Sequence, residues 1–327
     1  MRAVLCRSLD GPAALSVEEI AEPAVQPGEV IIAVRAAALN FFDTLVTRGR
    51  YQFKPELPFS PSGEVAGTIS AVGPGVTGLS EGELAVAYLG WGGAREFVAV
   101  DAGRVVTIPA GVDVATAAGI SITYGTALHG LRDRAGVRPG ETVAVLGASG
   151  GAGLAAVEIA KLMGARVIAA ASGPDKLAIC RTAGADELVD YGTADLKSAL
   201  RDLTGGRGVD VVYDCVGGPY CEPAVRATAW AGRYLVVGFA AGDIPKLPLN
   251  LLLLKGCAAI GVFWSEAVRR DPLQHRANVA QLLAWIAEGR LAPRIEATYP
   301  FARAAEALTV LDERRATGKI VLVPDQA

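Results

Sequence analysis

The sequence predicts an α/β protein of two units, one β-rich and barrel-like, the other a doubly wound parallel sheet. Three observations lead there. Residues 1 to about 121 carry short β-branched runs separated by turn formers such as Pro27-Gly28 and Gly73-Pro74-Gly75. From about Ile122 the pattern changes to alternating strands and helices. The strands of that second part are apolar throughout, as a sheet covered on both faces requires.

Taken in order, the β-rich runs are Val30 to Val34, Val65 to Val72, Leu84 to Tyr88, Phe97 to Val100 and Val105 to Ile108. The second part opens with the strand Thr142 to Leu146 and an Ala-rich helix from Ala152 to Met163, ended by Gly164. The strand Arg166 to Ala171 follows, then a helix from Pro174 to Thr182 with Pro174 at its first position. Leu188-Val189, a helix from about Asp195 to Thr204, and strands at Val209 to Asp214 and Tyr234 to Val237 continue the alternation. After about Phe263 come a helix, Asn278 to Glu288, and a closing strand, Ile320 to Val323. Such a tail cannot bury a core alone and is expected to rejoin the first unit. The expected domains are therefore 1–121 with 264–327, and 122–263. A chain of 327 residues is long enough for both cores.

Composition narrows the function classes. Apolar residues make up 51% and charged residues 20%, a globular balance. No apolar run approaches the roughly 18 residues of a membrane span, and the first seven residues read as a strand rather than a secretory signal. A net charge of −3 argues against nucleic acid as the partner. Five dispersed cysteines give neither a disulfide framework nor a Cys-x-x-Cys knuckle, so the expected setting is cytoplasmic.

The segment Gly147-Ala148-Ser149-Gly150-Gly151-Ala152-Gly153 lies where a strand passes into a helix. Glycines there let backbone N–H groups approach a diphosphate, and the helix N-terminus favours an anion. This context predicts a bound dinucleotide. NAD sites usually place a carboxylate at the end of the next strand, on the ribose hydroxyl. Here that strand ends Ala171-Ser172-Gly173, with no acid before Asp175. Ser172 and Lys176 are suited to a 2′-phosphate, so NADPH is expected, although a lysine at a helix surface is commonly just solvated.

Together with these pieces, Ala38-Leu39-Asn40-Phe41-Phe42-Asp43, Gly49-Arg50-Tyr51, Pro61-Ser62-Gly63-Glu64-Val65-Ala66-Gly67, Tyr124-Gly125-Thr126-Ala127, Val212-Tyr213-Asp214 and Arg315-Ala316-Thr317-Gly318-Lys319 carry a resemblance. The whole chain resembles the medium-chain dehydrogenase/reductase superfamily and, within it, the zinc-independent, zeta-crystallin-like quinone oxidoreductases. The resemblance implies a split GroES-like catalytic domain, a central Rossmann domain and a homodimer. Zinc-dependent relatives carry a Cys-His pair near Phe41 and Phe42, and Gly-His-Glu where this chain has Ser62-Gly63-Glu64. With only His129 and His275 in the chain, no zinc is expected.

A metal-free site suits direct hydride transfer to a small-molecule acceptor, a quinone or an enone. The resemblance places Asn40 near the nicotinamide and the acceptor carbonyl, where its amide would donate to a developing oxyanion; an asparagine ending a strand by bonding its own backbone is the other reading. Asp43 either orients a neighbour or begins the following helix. Tyr51 matches a cleft tyrosine that donates a proton in enoyl-thioester reductases; a loop aromatic packed near Pro55 and Pro58 is the alternative. For the cofactor, the resemblance adds Thr126 at the nicotinamide amide, and Gly173, Lys176, Tyr191 and Arg315 at the 2′-phosphate, with Arg314 a competitor for the last. Gly238, Phe239 and Val262-Phe263-Trp264 match segments running along the cofactor. The leading expectation is an NADPH-dependent quinone oxidoreductase. An enoyl (thioester) reductase and an NADPH-binding structural or regulatory protein of little turnover are the alternatives.

Overall fold

The β-branched runs of the N-terminal third all form strands in the computed structural model, which describes residues 1–325. They are β1 (Arg2–Cys6), β2 (Leu15–Glu19), β3 (Glu29–Leu39), β4 (Glu64–Val72), β5 (Leu84–Tyr88), β6 (Phe97–Asp101) and β7 (Val105–Thr107). The alternating region supplies β8 (Thr142–Leu146), β9 (Arg166–Ala171), β10 (Glu187–Asp190), β11 (Val209–Asp214), β12 (Thr228–Val236) and β13 (Ala258–Gly261). The tail adds β14 (Ile295–Pro300) and β15 (Lys319–Val323). The chain divides into two units, Met1–Ile122 with everything from Ser265 onward, and Thr123–Trp264.

In the split unit a seven-stranded sheet runs β14-β15-β3-β4-β5-β7, with β6 also on β3. Alternate residues of its strands, among them Ile32, Val65, Ile69 and Leu322, bury one face against Phe301 and Leu308. The tail joins through β15, which pairs antiparallel with the end of β3 in the register Ile320↔Leu39 and Val321↔Ala38. β4 pairs with the same stretch of β3, Glu64 lying opposite Ala38. The end of β3 and the starts of β4 and β15 therefore meet, and that convergence positions the site below.

The other unit is a six-stranded parallel sheet in the order β10-β9-β8-β11-β12-β13. Strand order reverses on either side of β8, so β9 and β11 flank it. In such sheets a ligand crevice opens beyond the carboxyl ends at that point. Helix Gly151–Leu162 follows β8, and helix Pro174–Thr182 follows β9.

Some elements differ from expectation. The tail helix begins at Pro272 rather than Asn278, because the Asp271 side chain caps it by accepting from the Gln274 N–H at 2.9 Å. β12 is longer than the apolar core of its sequence, reaching back through Trp230 to Thr228. β2, β14 and helix Trp264–Arg270 carry too little apolar periodicity to announce themselves. No helix among the described residues is long and apolar enough to cross a membrane.

Candidate functional site

Beyond β8 the chain turns at Gly147, whose φ of +70° suits a residue without Cβ. Helix Gly151–Leu162 then starts from Gly150 as its cap. A Cβ on Gly153 would stand 2.2 Å from the Gly147 carbonyl oxygen, so the helix can approach the strand only with glycine there. The first helical bond is Leu154 N–H to Gly150 O, 2.8 Å. That leaves the N–H groups of Gly151, Ala152 and Gly153 available to an anion, with Ser149 buried beside them.

A second group forms after β9. Ser172 is exposed, and Gly173 has φ of +86° with open space where a Cβ would lie. Lys176, half-buried, is in the first turn of helix Pro174–Thr182. The acid missing from the end of β9 has a counterpart on β10. Asp190 lies opposite Ala171, and its carboxylate accepts from Gly173 N–H at 3.2 Å and Gly192 N–H at 2.9 Å. Next to it, Tyr191 packs on Tyr220 with ring centres 4.4 Å apart, and burial pushes its phenol up to about 12. Gly238 and Phe239 lie against Gly217, and Thr126 is on a helix whose Gly125 packs on Trp264, next to the exposed Phe263.

The split unit holds Asn40, Asp43, Tyr51 and Arg315. Asn40 follows β3 and precedes helix Phe41–Val46. Its amide nitrogen donates to Glu64 Oε1 at 3.0 Å, and its amide oxygen accepts from Lys319 Nζ at 2.7 Å. Contact with its own strand backbone, at Ala38 O, is long at 3.5 Å. Lys319 Nζ also donates to Glu64 Oε1 at 2.9 Å and Leu39 O at 3.1 Å, which uses all three of its protons. The second Glu64 oxygen accepts from Ile122 N–H at 2.9 Å. All three side chains are buried.

Asp43 sits in the first turn of the helix that follows Asn40. Its carboxylate accepts from Asn40 N–H at 2.8 Å, tying down the helix start, and from Ser62 N–H at 2.9 Å. Ser62 is held at φ of +70°, unusual for a residue with a side chain. Full burial pushes Asp43 up to about 7, against the pull of those two N–H groups and of Lys319. Tyr51 stands 5.4 Å from Phe42 and 6.0 Å from Phe53, ring centre to ring centre. Burial, and secondarily the Asp43 charge, raise its phenol. Arg315 is exposed and paired with Glu313 at 2.6 Å.

Glu64, Lys319 and Ser62 stood in the sequence as motif letters without a role. One signal was available: two opposite charges inside otherwise apolar strands, each of which needs a partner if buried. Asp190 and Tyr220 carried no such signal, since their neighbours come from strand order. Among the described residues no three His, Cys, Asp or Glu side chains stand together to hold a metal ion.

Residues 26–110 match the alcohol dehydrogenase GroES-like domain, and residues 151–288 match the zinc-binding dehydrogenase domain. The chain is 37% identical to quinone oxidoreductase-like protein 2 of Bos taurus over 98% of its length and 92% of that protein's. It is 36% identical to the homologue in Nematostella vectensis, covering 98% and 88%. The chain belongs to the quinone oxidoreductases of the medium-chain dehydrogenase/reductase superfamily. Solved structures agree with this placement. A mycobacterial protein in complex with NADPH superposes with a TM-score of 0.92 at 30% identity, over 99% of this chain and 100% of that one. An NAD-dependent alcohol dehydrogenase gives 0.90 at 33%, covering 99% and 100%, and the CurK enoyl reductase 0.88 at 25%, covering 99% of each. This family member is an oxidoreductase.

Two outcomes follow from the buried network of this oxidoreductase. Lys319→Met leaves Glu64 buried without its counter-ion and is expected to cost about 3–5 kcal/mol. The double change Lys319→Met/Glu64→Gln should recover much of that, and equal losses in thermal melts of the two variants would refute the account. The second outcome concerns pH. Asp43 holds its proton more tightly folded than unfolded, so its contribution is complete below about 4 and is lost as pH rises toward about 7. His275, which burial pushes down to about 4, acts with the opposite sign, its contribution being lost as pH falls below the ordinary histidine range. Urea midpoints of the wild type minus those of Asp43→Asn should therefore fall between pH 5 and 8; a flat difference contradicts the buried-acid assignment.

Proposed function

We propose that the protein is an NADPH-dependent quinone oxidoreductase, with the glycine cradle at Gly147–Gly153 as the observation that carries the reading. Three free N–H groups and a helix start fit a diphosphate, and Gly153 is where a Cβ would close the cradle. Ser172, Gly173, Lys176 and Tyr191 would hold the 2′-phosphate, the open space at Gly173 leaving room for it. Asp190 accepts from Gly173 and Gly192 through one oxygen, Oδ1, which braces the turn around the proposed phosphate site. Thr126, Phe263, Gly238 and Phe239 would contact the rest of the cofactor. A bound NADPH supplies hydride.

The chain's own residues supply the rest. The Asn40 amide is locked in one orientation by Glu64 and Lys319, and its other proton makes only the long 3.5 Å contact with Ala38 O, which an acceptor oxygen would replace. Phe42, Tyr51 and Phe53, their rings tilted by 32° and 58° from pair to pair, offer a largely apolar aromatic lining suited to an aromatic acceptor. Tyr51, kept protonated by its raised pKa, could pass its proton to a reduced oxygen or to an enolate. That proton and the resemblance in fold to the CurK enoyl reductase support a second reading, reduction of an enoyl thioester.

An acceptor panel separates these readings. Quinones should turn over with NADPH about tenfold or more better in kcat/KM than with NADH, the worth of a charge-assisted phosphate bond. A preference for NADH overturns the cofactor assignment. Faster turnover of a crotonyl thioester than of any quinone, abolished in Tyr51→Phe, establishes the enoyl reading, and tight NADPH binding with no acceptor reduced marks a protein of little turnover.

We further propose a homodimer. β13 is a sheet edge, and Trp230 and Leu253 around it are 77% and 79% exposed. Sedimentation of the wild type is expected to give a dimer and that of Trp230→Glu/Leu253→Glu a monomer; a monomeric wild type defeats the proposal.

A further inference from the structure

One cavity in the split unit has no part in the chemistry above. The outward side chains along β6, Arg95 just before it and then Phe97, Ala99 and Asp101, floor a space of about 460 Å³, while Val98 and Val100 turn inward to the core. Leu89, Trp91 and Arg104 border it. Its size is that of a small-molecule site.

Arg95 is its unusual member. The Nε atom is out of reach of solvent and has no hydrogen-bond partner among the described residues. Burial lowers the guanidinium pKa, and no neighbouring carboxylate acts against that lowering. The adjacent Glu96 is taken by Arg2, through Nε at 2.9 Å. Two other acids border the cavity, Glu29 and Asp101, which are cross-strand partners at the far end of β6. At about 3.3 Å per residue, that end lies roughly 20 Å along the strand from Arg95. Both are also engaged locally, Asp101 with Gly103 N–H at 2.7 Å and Glu29 with Gln26 N–H at 3.3 Å.

The Arg95 end therefore combines a half-buried cation that has no ion-pair partner among the described residues with the exposed indole of Trp91 and the ring of Phe97. A guanidinium binds a carboxylate through two parallel N–H bonds, and flat rings favour a flat apolar body. We propose that this cavity is a binding site for a small aromatic carboxylate, its anionic group on Arg95 and its ring against Trp91 and Phe97. The site is independent of the hydride chemistry and of the acceptor.

Benzoate is the probe, with benzyl alcohol as its uncharged counterpart, titrated by calorimetry into the full-length protein with NADPH present. Saturable benzoate binding is expected, weakened about tenfold or more when the carboxylate is replaced by the alcohol or Arg95 by Gln. Trp91→Ala, at an exposed position, should weaken benzoate without lowering the melting temperature. Arg95→Gln should melt no lower than the wild type, because it removes an unpaired cation rather than an ion pair. Absence of saturable benzoate binding overturns the proposal. So does equal affinity for the alcohol, or benzoate affinity unchanged in Arg95→Gln.

Discussion

The contact between Lys319 and Glu64 joins parts of the chain 255 residues apart, and the split unit depends on it. Two charges leave water there, which is favourable only if each finds its opposite and its remaining bonds are filled. Both conditions are met, since Lys319 gives protons to Glu64, Asn40 and Leu39, and Glu64 accepts from Lys319, Asn40 and Ile122. Such a pair adds little net stability over apolar residues of the same size, but it penalises wrong arrangements heavily. A one-residue slip of β15 on β3 would turn the ammonium to the other face and strand both charges. The pair thus fixes the register by which the tail completes the sheet, and the Asn40 amide is oriented as a consequence.

That dependence explains what the sequence could disclose and what it could not. Strands and helices with strong local patterns were legible: Thr142–Leu146, the Ala-rich helix after it, and Pro174–Thr182 all stand where their periodicity and end signals put them. The family was legible too, because its motifs are short and ordered. The polar network was not, because it arises from pairing between distant strands. Asn40, Glu64 and Lys319 have neighbours in sequence that say nothing of one another. Weakly patterned elements such as β14 were likewise hidden, since they are recruited by tertiary contact.

The dinucleotide side shows the same contrast in another form. Gly153 could be read directly, because a backbone approach that excludes a Cβ needs glycine whatever surrounds it. The absence of an acid after β9 was a sound local observation, yet strand order brings the Asp190 carboxylate to the same turn from β10. Its bonds to Gly173 and Gly192 make it a brace for the loop. A carboxylate's meaning therefore depends on which oxygens are already occupied, and that is a property of the fold.

The charge balance around Asn40 turns on Asp43. With Asp43 ionised, the buried cluster holds two carboxylates against one ammonium; with Asp43 protonated, it is neutral. Burial moves that change to about pH 7. The same Asp43 charge raises the Tyr51 phenol, so protonation of the acid makes the phenol a readier donor. If an acceptor is reduced beside Asn40, as proposed, its oxygen would meet less repulsion from the neutral cluster, and a more acidic Tyr51 at the same moment. On the proposed reading, burial of Asp43 rather than the pair that locks the tail would decide the charge that a reduced acceptor meets.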